Sequence, residues 1–298
     1  MGRETNRRRR EQQAATAKEK AAAARASQAR VDQRRRARAI LISVVAAAVV
    51  IALIAVIAIT HKSSTPNDAA GNRVAATAAV VNDVTSISPA TFQTVGGGTA
   101  QLAIKPLSGQ PPLSVNGKPE LLFIGGEFCP ICAAERWSMT AALSRFGTFS
   151  NLSMIHSAVD DGDLATLDFY KSSYTSKYLS FVPVENADRN RAELEKLTSA
   201  QLATYKAATG TAQIAYPFID FGGQYMMQTE GYDGASVLST MTQAQIASRL
   251  NDPSSAVAKA VVGEANNLTA AICKMTNGLP ASVCTAPEVT TIQGELGA

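Results

Sequence analysis

The sequence predicts an α/β domain that follows a single membrane-spanning helix. The domain is predicted from residues 119–146, where an apolar run at residues 121–124 leads into Cys129-Pro130-Ile131-Cys132 and then into apolar residues at helical spacing. The membrane helix is predicted from residues 39–59, which are all apolar apart from Ser43. At ~1.5 Å rise per residue, a helix of this length spans the hydrocarbon core of a bilayer.

Charge is distributed unevenly along the chain and orients the predicted membrane helix. Residues 1–38 hold 13 Arg or Lys against 4 Asp or Glu, a net of +9, whereas the rest of the chain carries −5. The positive-inside rule therefore places the N-terminus in the cytoplasm and residues 60–298 outside. The basic residues also attract anionic lipid. Because residues 1–38 contain no aromatic side chain to stack on a base, no nucleic-acid binding is expected.

These features divide the chain into four parts: a basic cytoplasmic tail (1–38), a transmembrane helix (39–59), a flexible linker (60–85) and a folded domain (86–298). The linker is rich in Ser, Thr, Ala and Asn and has no clear hydrophobic period. A cleaved signal peptide is the alternative, because Ala-rich sites follow the apolar stretch. The length of that stretch and of the basic tail favours an uncleaved anchor.

A helix is predicted directly after the second cysteine. Apolar residues recur there at i, i+4 and i+8, namely Ala133, Trp137 and Ala141, with Glu135 and Arg136 between them. A glycine at position 147 marks the expected end of this helix.

Two cysteines at a helix N-terminus favour thiol chemistry. The helix N-terminus stabilises a thiolate at Cys129, and Pro130 loses no hydrogen bond in the first turn. Cys132 lies one turn further on, close enough to form a disulfide with Cys129. Two alternatives remain: the pair could form half of a zinc site, or a structural disulfide without turnover.

The other elements of the domain are predicted from shorter signals. In chain order they are a strand at 101–105, a strand at 152–159, a mainly helical insertion at about 164–211, a hairpin at 217–227 that turns at Gly222-Gly223, and a helix that Asp252 caps and Pro253 opens. Within the insertion, helices are predicted at 164–171, at 189–197 and from a Ser199 cap to Gly210, with a short extended piece at 178–185.

The second cysteine pair lies near the C-terminus. Cys273 and Cys284 flank a short loop that holds Asn277-Gly278 and Pro280. In an oxidising compartment this spacing favours a structural disulfide. The alternative is an electron relay to the first pair.

The remaining candidate residues are weaker evidence for a catalytic or metal site. The chain has two histidines, His61 and His156, too few for a multi-histidine metal site, and His156 is expected in the core. Glu127 is the acid nearest to the first cysteine pair and is expected to be a solvated loop residue. The sequence contains no phosphate-cradling or dinucleotide motif, so no metal and no dissociable cofactor is expected.

Taken together, the strand that leads into Cys-Pro-x-Cys and the later Tyr-Pro-Phe-Ile-Asp-Phe-Gly-Gly hairpin resemble the thioredoxin superfamily. More closely, the run Phe-Ile-Gly-Gly-Glu-Phe-Cys-Pro-Ile-Cys, the membrane anchor and the cysteine-bearing C-terminus resemble the family catalogued as domain of unknown function 929. This second resemblance covers about residues 80–290.

The thioredoxin resemblance implies a fold and a set of roles. The fold is α/β, with a central mixed sheet flanked by helices, into which the helical segment at 164–211 is inserted, and residues 239–250 form its last helix. Cys129 corresponds to the attacking cysteine and Cys132 to the resolving one. Tyr216 corresponds to the residue that contacts substrate, and Pro217 to a cis-proline that faces the cysteines.

Two departures from the thioredoxin pattern leave the redox direction open. Thioredoxins proper carry a buried acid in the strand before the cysteines, and the matching position here is Phe123. They also carry Trp before the first cysteine, where this chain has Phe128. The Cys-Pro-x-Cys form is more similar to periplasmic disulfide oxidases and glutaredoxins.

The resulting hypothesis is a membrane-anchored thiol-disulfide oxidoreductase on the outer face of the membrane. Cys129 and Cys132 are its expected catalytic pair, supported by Pro130, Glu127 and Phe128. Its expected partners are the thiols or disulfides of exported proteins, a membrane or extracytoplasmic redox partner, and membrane lipid. The alternative is a non-enzymatic docking module in which both cysteine pairs are structural.

Overall fold

The structure is a computed structural model that describes residues 73–296. The predicted basic tail, the predicted membrane helix and the first part of the predicted linker lie outside the described residues. Within residues 73–296, no helix is both long enough and apolar enough to cross a membrane.

The described residues form both strands and helices. The strands are β1 Val74–Ala75, β2 Lys105–Pro106, β3 Ser114–Val115, β4 Lys118–Gly126, β5 Gly147–Ser150, β6 Ser153–His156, β7 Ala165–Asp168, β8 Ser173–Ser176, β9 Ser180–Ala187, β10 Phe218–Phe221 and β11 Tyr225–Met227. The helices are α1 Ala78–Thr85, α2 Pro89–Val95, α3 Pro130–Leu143, α4 Ser199–Thr209, α5 Gly234–Leu238, α6 Gln243–Ala247, α7 Ala256–Met275, α8 Ala281–Cys284 and α9 Pro287–Glu295.

The main sheet is built around β4. Strand β9 pairs with it in parallel, with Leu122 opposite Val182. Strand β10 pairs with it antiparallel, with Ile124 opposite Phe218, and β11 and β2 follow β10 outward. The segment β4-α3-β9 is thus a parallel crossover unit, to which the hairpin β10-β11 adds two antiparallel strands. The predicted mixed α/β architecture is confirmed.

The apolar run in β4 is buried on both faces, as its composition predicts. Leu121 and Phe123 point into the larger core cluster, whereas Leu122 and Ile124 point into a smaller one on the other face. Helices α3 and α7 pack on the first side. On the second side, Tyr205 of α4 packs edge-on against Phe218, with ring centroids 4.9 Å apart.

The predicted helical insertion is wrong over most of its length. Residues 165–168 form β7, which pairs antiparallel with β6, and residues 189–197 contain no helix. The strand is held against α3, because the Trp137 indole donates a hydrogen bond to the Ala165 carbonyl (3.0 Å) and the Thr166 hydroxyl donates to the Ala133 carbonyl (2.7 Å).

Two predictions within this insertion are close to the structure. The helix predicted from Ser199 to Gly210 is α4, whose N-cap is Thr198, one residue earlier, and whose C-cap is Gly210. The extended piece predicted at 178–185 is β9, an eight-residue strand that pairs in parallel with β4 of the main sheet.

The C-terminal part contains more helices than predicted, and their boundaries differ from the predicted ones. The helix predicted at 239–250 is wrong, since α5 ends at Leu238 and α6 begins at Gln243, with Thr240 between them at φ 63°. The long helix α7 is capped by Ser255, whose hydroxyl accepts a hydrogen bond from the backbone of Ala258, and not by Asp252.

The boundaries of three further elements differ from the prediction. Helix α1 lies inside the predicted linker: Thr77 caps it, and Val80 and Val84 bury one face. The strand predicted at 101–105 is limited to Lys105–Pro106. Helix α3 ends at Leu143, and Gly147 begins β5 instead of ending the helix.

Candidate functional site

Cys129 is held at the N-terminus of α3. It is the N-cap residue, and its Sγ accepts a hydrogen bond from the backbone N–H of Cys132 at 3.3 Å. Pro130 occupies the first turn, as its missing N–H allows. Both cysteines are free thiols, with Cys129 5% exposed and Cys132 completely buried.

The two thiols differ in acidity. A hydrogen bond with the Cys132 side chain, helped by backbone N–H groups and by Arg136, lowers the pKa of Cys129 to about 7, although burial acts in the opposite direction. Burial raises the pKa of Cys132 well above its usual range. Since the thiolate is the nucleophile, Cys129 is the thiol prepared to react.

The predicted substrate-contacting residues lie beside the thiol pair. The Cys129 Sγ is 3.7 Å from the Tyr216 carbonyl oxygen, and the peptide bond between Tyr216 and Pro217 is cis, as the resemblance implied. The ring of Phe128 packs edge-on against that of Tyr216, with centroids 5.7 Å apart. The Arg191 guanidinium covers Phe128 at 5.0 Å from its centroid.

The expectation that Glu127 is a solvated loop residue is wrong. Its side chain is 3% exposed and forms an ion pair with Arg73, which also pairs with Asp168. Burial, followed by the charge of Asp168, raises the pKa of Glu127 to about 7, although Arg73 opposes the shift. Glu127 therefore belongs to a buried ion network, whose cation comes from the segment before β1.

A second buried ion pair was missed in the sequence. Arg136 and Glu185 are both completely buried, and the Glu185 carboxylate accepts hydrogen bonds from Arg136 Nε (2.8 Å) and Nη2 (2.7 Å). The i, i+4 spacing from Cys132 to Arg136 was the available signal, because it places both residues on one helix face. Burial alone lowers the pKa of Arg136, but Glu185 raises it well above its usual range, so the group stays charged.

Three glutamates form an acidic group on the other side of α3. Neither carboxyl oxygen of Glu135 has a hydrogen-bond partner, whereas Glu264 accepts one from the Asn267 amide at 3.0 Å. Burial is the main cause of the raised pKa values in this group. The pKa of Glu135 lies well above its usual range, the pKa of Glu264 is about 8, and the pKa of Glu230 is about 7. Glu264 is therefore mainly a neutral acid near pH 7.

The second cysteine pair forms a disulfide, as predicted. Cys273 and Cys284 are bonded and separated by 11 positions in sequence. This disulfide lies at the end of β10 remote from Cys129: Tyr216 precedes the strand at the thiol pair, whereas Gly222 follows it and packs near Met275. A strand of this length spans on the order of 10 Å, so the two pairs lie at opposite ends of β10.

The described residues contain no group of three or more His, Cys, Asp or Glu side chains arranged to hold a metal ion. The expectation that His156 is a core residue is wrong, because its side chain is partly exposed and its ring Nδ1 lies 3.1 Å from the Asp163 carbonyl oxygen.

Comparison with known proteins found one family. Residues 107–214 match the family model described as Domain of unknown function (DUF929). The predicted resemblance to that family is thus confirmed over a narrower range than residues 80–290. The matched segment contains Cys129, Cys132, Arg136 and Glu185 and ends just before Tyr216. Neither the curated proteins nor the solved structures gave a match.

Proposed function

We propose that this chain is a thioredoxin-like thiol-disulfide oxidoreductase whose redox centre is the pair Cys129 and Cys132. The observation that carries the proposal is the placement of Cys129. Cys129 is the N-cap residue of the buried helix α3, and the pKa of its thiol is lowered to about 7. Its sulfur lies against the carbonyl of Tyr216, which precedes the cis-proline Pro217.

The arrangement supports a two-step exchange. The Cys129 thiolate attacks one sulfur of a substrate disulfide, so that a mixed disulfide forms and the other substrate sulfur leaves as a thiolate that takes a proton. The Cys132 thiol then loses its proton and attacks the Cys129 sulfur. Cys129 and Cys132 become a disulfide, and the substrate accepts two electrons and two protons as a dithiol. With an oxidised pair and a substrate dithiol, the same steps run in reverse.

The topology supports the thioredoxin-like assignment. The elements β4, α3, β9, α4, β10-β11 and α7 follow this order: a strand, a helix, a parallel strand, a helix, an antiparallel hairpin and a long helix. Strands β5 to β8 are inserted between α3 and β9, and the short helices α5 and α6 lie between the hairpin and α7. A domain outside the membrane, joined to the predicted membrane anchor, would meet exported proteins as substrates. A membrane or extracytoplasmic redox partner would return Cys129 and Cys132 to their starting redox state.

The docking-module alternative retains one observation in its favour, the low exposure of Cys129. A trapping experiment separates the two functions. Cys132→Ser leaves Cys129 without its resolving thiol, so this variant should accumulate mixed disulfides with oxidised insulin, detected by mass spectrometry of the adduct. Cys129→Ser is the matched control and should trap none. Absence of adducts in the folded Cys132→Ser variant would reject the enzyme in favour of the docking module.

A further inference from the structure

Arg136 and Cys132 lie one turn apart on the same face of α3. Both side chains are completely buried, and residues at i and i+4 of a helix are neighbours. The exchange described above uses Cys132 as a nucleophile in its second step. That step requires a negative charge on a sulfur that water does not reach.

Gly126 links Arg136 to the start of α3. Its carbonyl oxygen accepts hydrogen bonds from Arg136 Nη2 at 3.0 Å and from the backbone N–H of Cys129 at 3.2 Å. The guanidinium is therefore held by the same carbonyl group that binds the backbone of the attacking cysteine.

The hydrogen-bonding capacity of Arg136 is not fully used. Glu185 and Gly126 bind Nε and Nη2, whereas Nη1 is buried without a hydrogen-bond partner. A buried donor that lacks a partner costs free energy, and a role in another state of the protein is one explanation for its presence. Inside a protein the charge of this group also acts more strongly than in water.

We propose that Arg136 is a positioning residue for the resolving step, in which its guanidinium stabilises the Cys132 thiolate while Cys129 is bonded to substrate. This inference rests on the proposed function. The step balances as before: the new bond joins the two cysteine sulfurs, the substrate sulfur leaves with the electron pair of the broken bond, and the proton that Cys132 loses ends on that departing sulfur. The positive charge of Arg136 lowers the pKa of both thiols, which supports the proposal.

The other ionisable groups around the thiols act differently. Tyr216, which precedes β10, and Glu230, which follows β11, are acidic groups near the thiols. Burial raises their pKa values, and the negative charge of a cysteine thiolate raises them further. Glu127, Asp168 and Glu185 are carboxylates that Arg73 and Arg136 bind. Arg136 lies one turn from Cys132 on the same helix, and its charge lowers the pKa of that thiol, so it is the cation placed to act on Cys132.

The test measures the resolving step directly. A chromogenic aromatic disulfide reacts with the reduced protein and releases one aromatic thiol when Cys129 attacks and a second when Cys132 resolves the adduct. Stopped-flow absorbance at a pH near 8 separates the two phases. Because Arg136→Gln alone would leave Glu185 buried and unpaired, the test variant is Arg136→Gln/Glu185→Gln, whose fold is checked by circular dichroism.

We expect the second phase to slow by about tenfold in this variant, which corresponds to a rise of about one unit in the pKa of Cys132. Arg136→Lys keeps the charge and should resolve within about threefold of the native rate, a range that corresponds to less than one pKa unit. The matched control is Arg145→Gln/Glu288→Gln, a pair whose side chains are 10% and 4% exposed and which lies beyond the other end of α3. It should leave the second phase unchanged.

Two results would overturn the inference: an unchanged second phase in the neutral pair variant, or an equal slowing in Arg136→Lys, which would make the role geometric rather than electrostatic. If the neutral pair variant does not fold, Arg136→Met/Glu185→Leu, an apolar replacement of the buried pair, takes its place and should show the same slowing. Failure of the proposed function is distinguishable, since the native protein itself would then release no second thiol.

Discussion

The Cys129 sulfur lies 3.7 Å from the Tyr216 carbonyl oxygen, although 87 positions separate the two residues in sequence. The contact brings the start of α3 against the segment before β10. The Cys129 thiol thus lies between the backbone N–H of Cys132 and the backbone carbonyl of Tyr216, and the Tyr216 ring packs against that of Phe128. The predictions below follow from this placement and from the buried charges around it.

The reactivity of Cys129 should follow a pKa of about 7. Because the thiolate is the reactive form, the rate of modification by iodoacetamide should rise with pH through about 7 and then level off, well below the pH at which an ordinary thiol ionises. Peptide mass spectrometry locates the modified residue. Cys132, which is buried and whose pKa is raised, should react much more slowly. A rate for Cys129 that still rises steeply near pH 9 would contradict this prediction.

Removal of the Arg73 charge should destabilise the domain. Arg73→Gln leaves Glu127 and Asp168 buried without their cation, at a cost of about 2 kcal/mol after allowance for the partial exposure of Arg73. Urea unfolding measures this loss. Lys105→Gln removes an exposed cation and is the control. Equal stability of the two variants would show that the segment before β1 contributes no ion pair to the folded domain.

Buried acids should make the domain less stable as pH rises. The pKa of Glu264 is about 8 when folded and about 4.3 when unfolded. Between these values the folded protein holds a proton that the unfolded chain has released, so this group's contribution to the free energy of unfolding falls by about 1.4 kcal/mol per pH unit. In Glu264→Gln, the decline from about pH 5 to 8 should be shallower than in the native protein.

The matched control for this pH effect is Glu193→Gln, which changes an exposed glutamate. Urea unfolding of the three proteins at several pH values gives the slopes. If Glu264→Gln and Glu193→Gln have the same pH dependence as the native protein, Glu264 does not hold its proton in the folded state.

The C-terminal disulfide should support stability and not turnover. Cys273→Ser/Cys284→Ser removes a cross-link that closes a loop with a sequence separation of 11, at a cost of about 3 kcal/mol. Insulin reduction by the folded variant, with dithiothreitol as the electron source, should match that of the native protein. Loss of turnover with the fold intact would make the second pair an electron relay.

Local signals in the sequence were sufficient for the centre of the fold. The apolar run in β4, the two cysteines at the start of α3 and the Gly222-Gly223 turn each depend on neighbouring residues, and each is present in the structure. The cis bond before Pro217 followed from the family resemblance, because spacing by itself favours an ordinary trans proline.

Long-range contacts could not be predicted in the same way. Glu127 is buried because Arg73, 54 positions earlier, reaches it, and Arg136 is buried because Glu185 pairs with it from 49 positions away. A charged residue with an unknown partner looks solvent-exposed in the sequence. The same limit explains β7: its residues form a strand because β6 and α3 lie on either side, and the sequence pattern contains neither contact.

The reduction potential of the Cys129–Cys132 pair tests the central claim most directly. The protein is equilibrated in glutathione buffers, its thiols are trapped, and the oxidised fraction is measured by mass spectrometry. A redox-active pair should have a potential between about −120 mV, typical of a disulfide donor, and about −270 mV, typical of a reductant. A pair that stays oxidised below roughly −300 mV would be a structural bridge and would contradict the account.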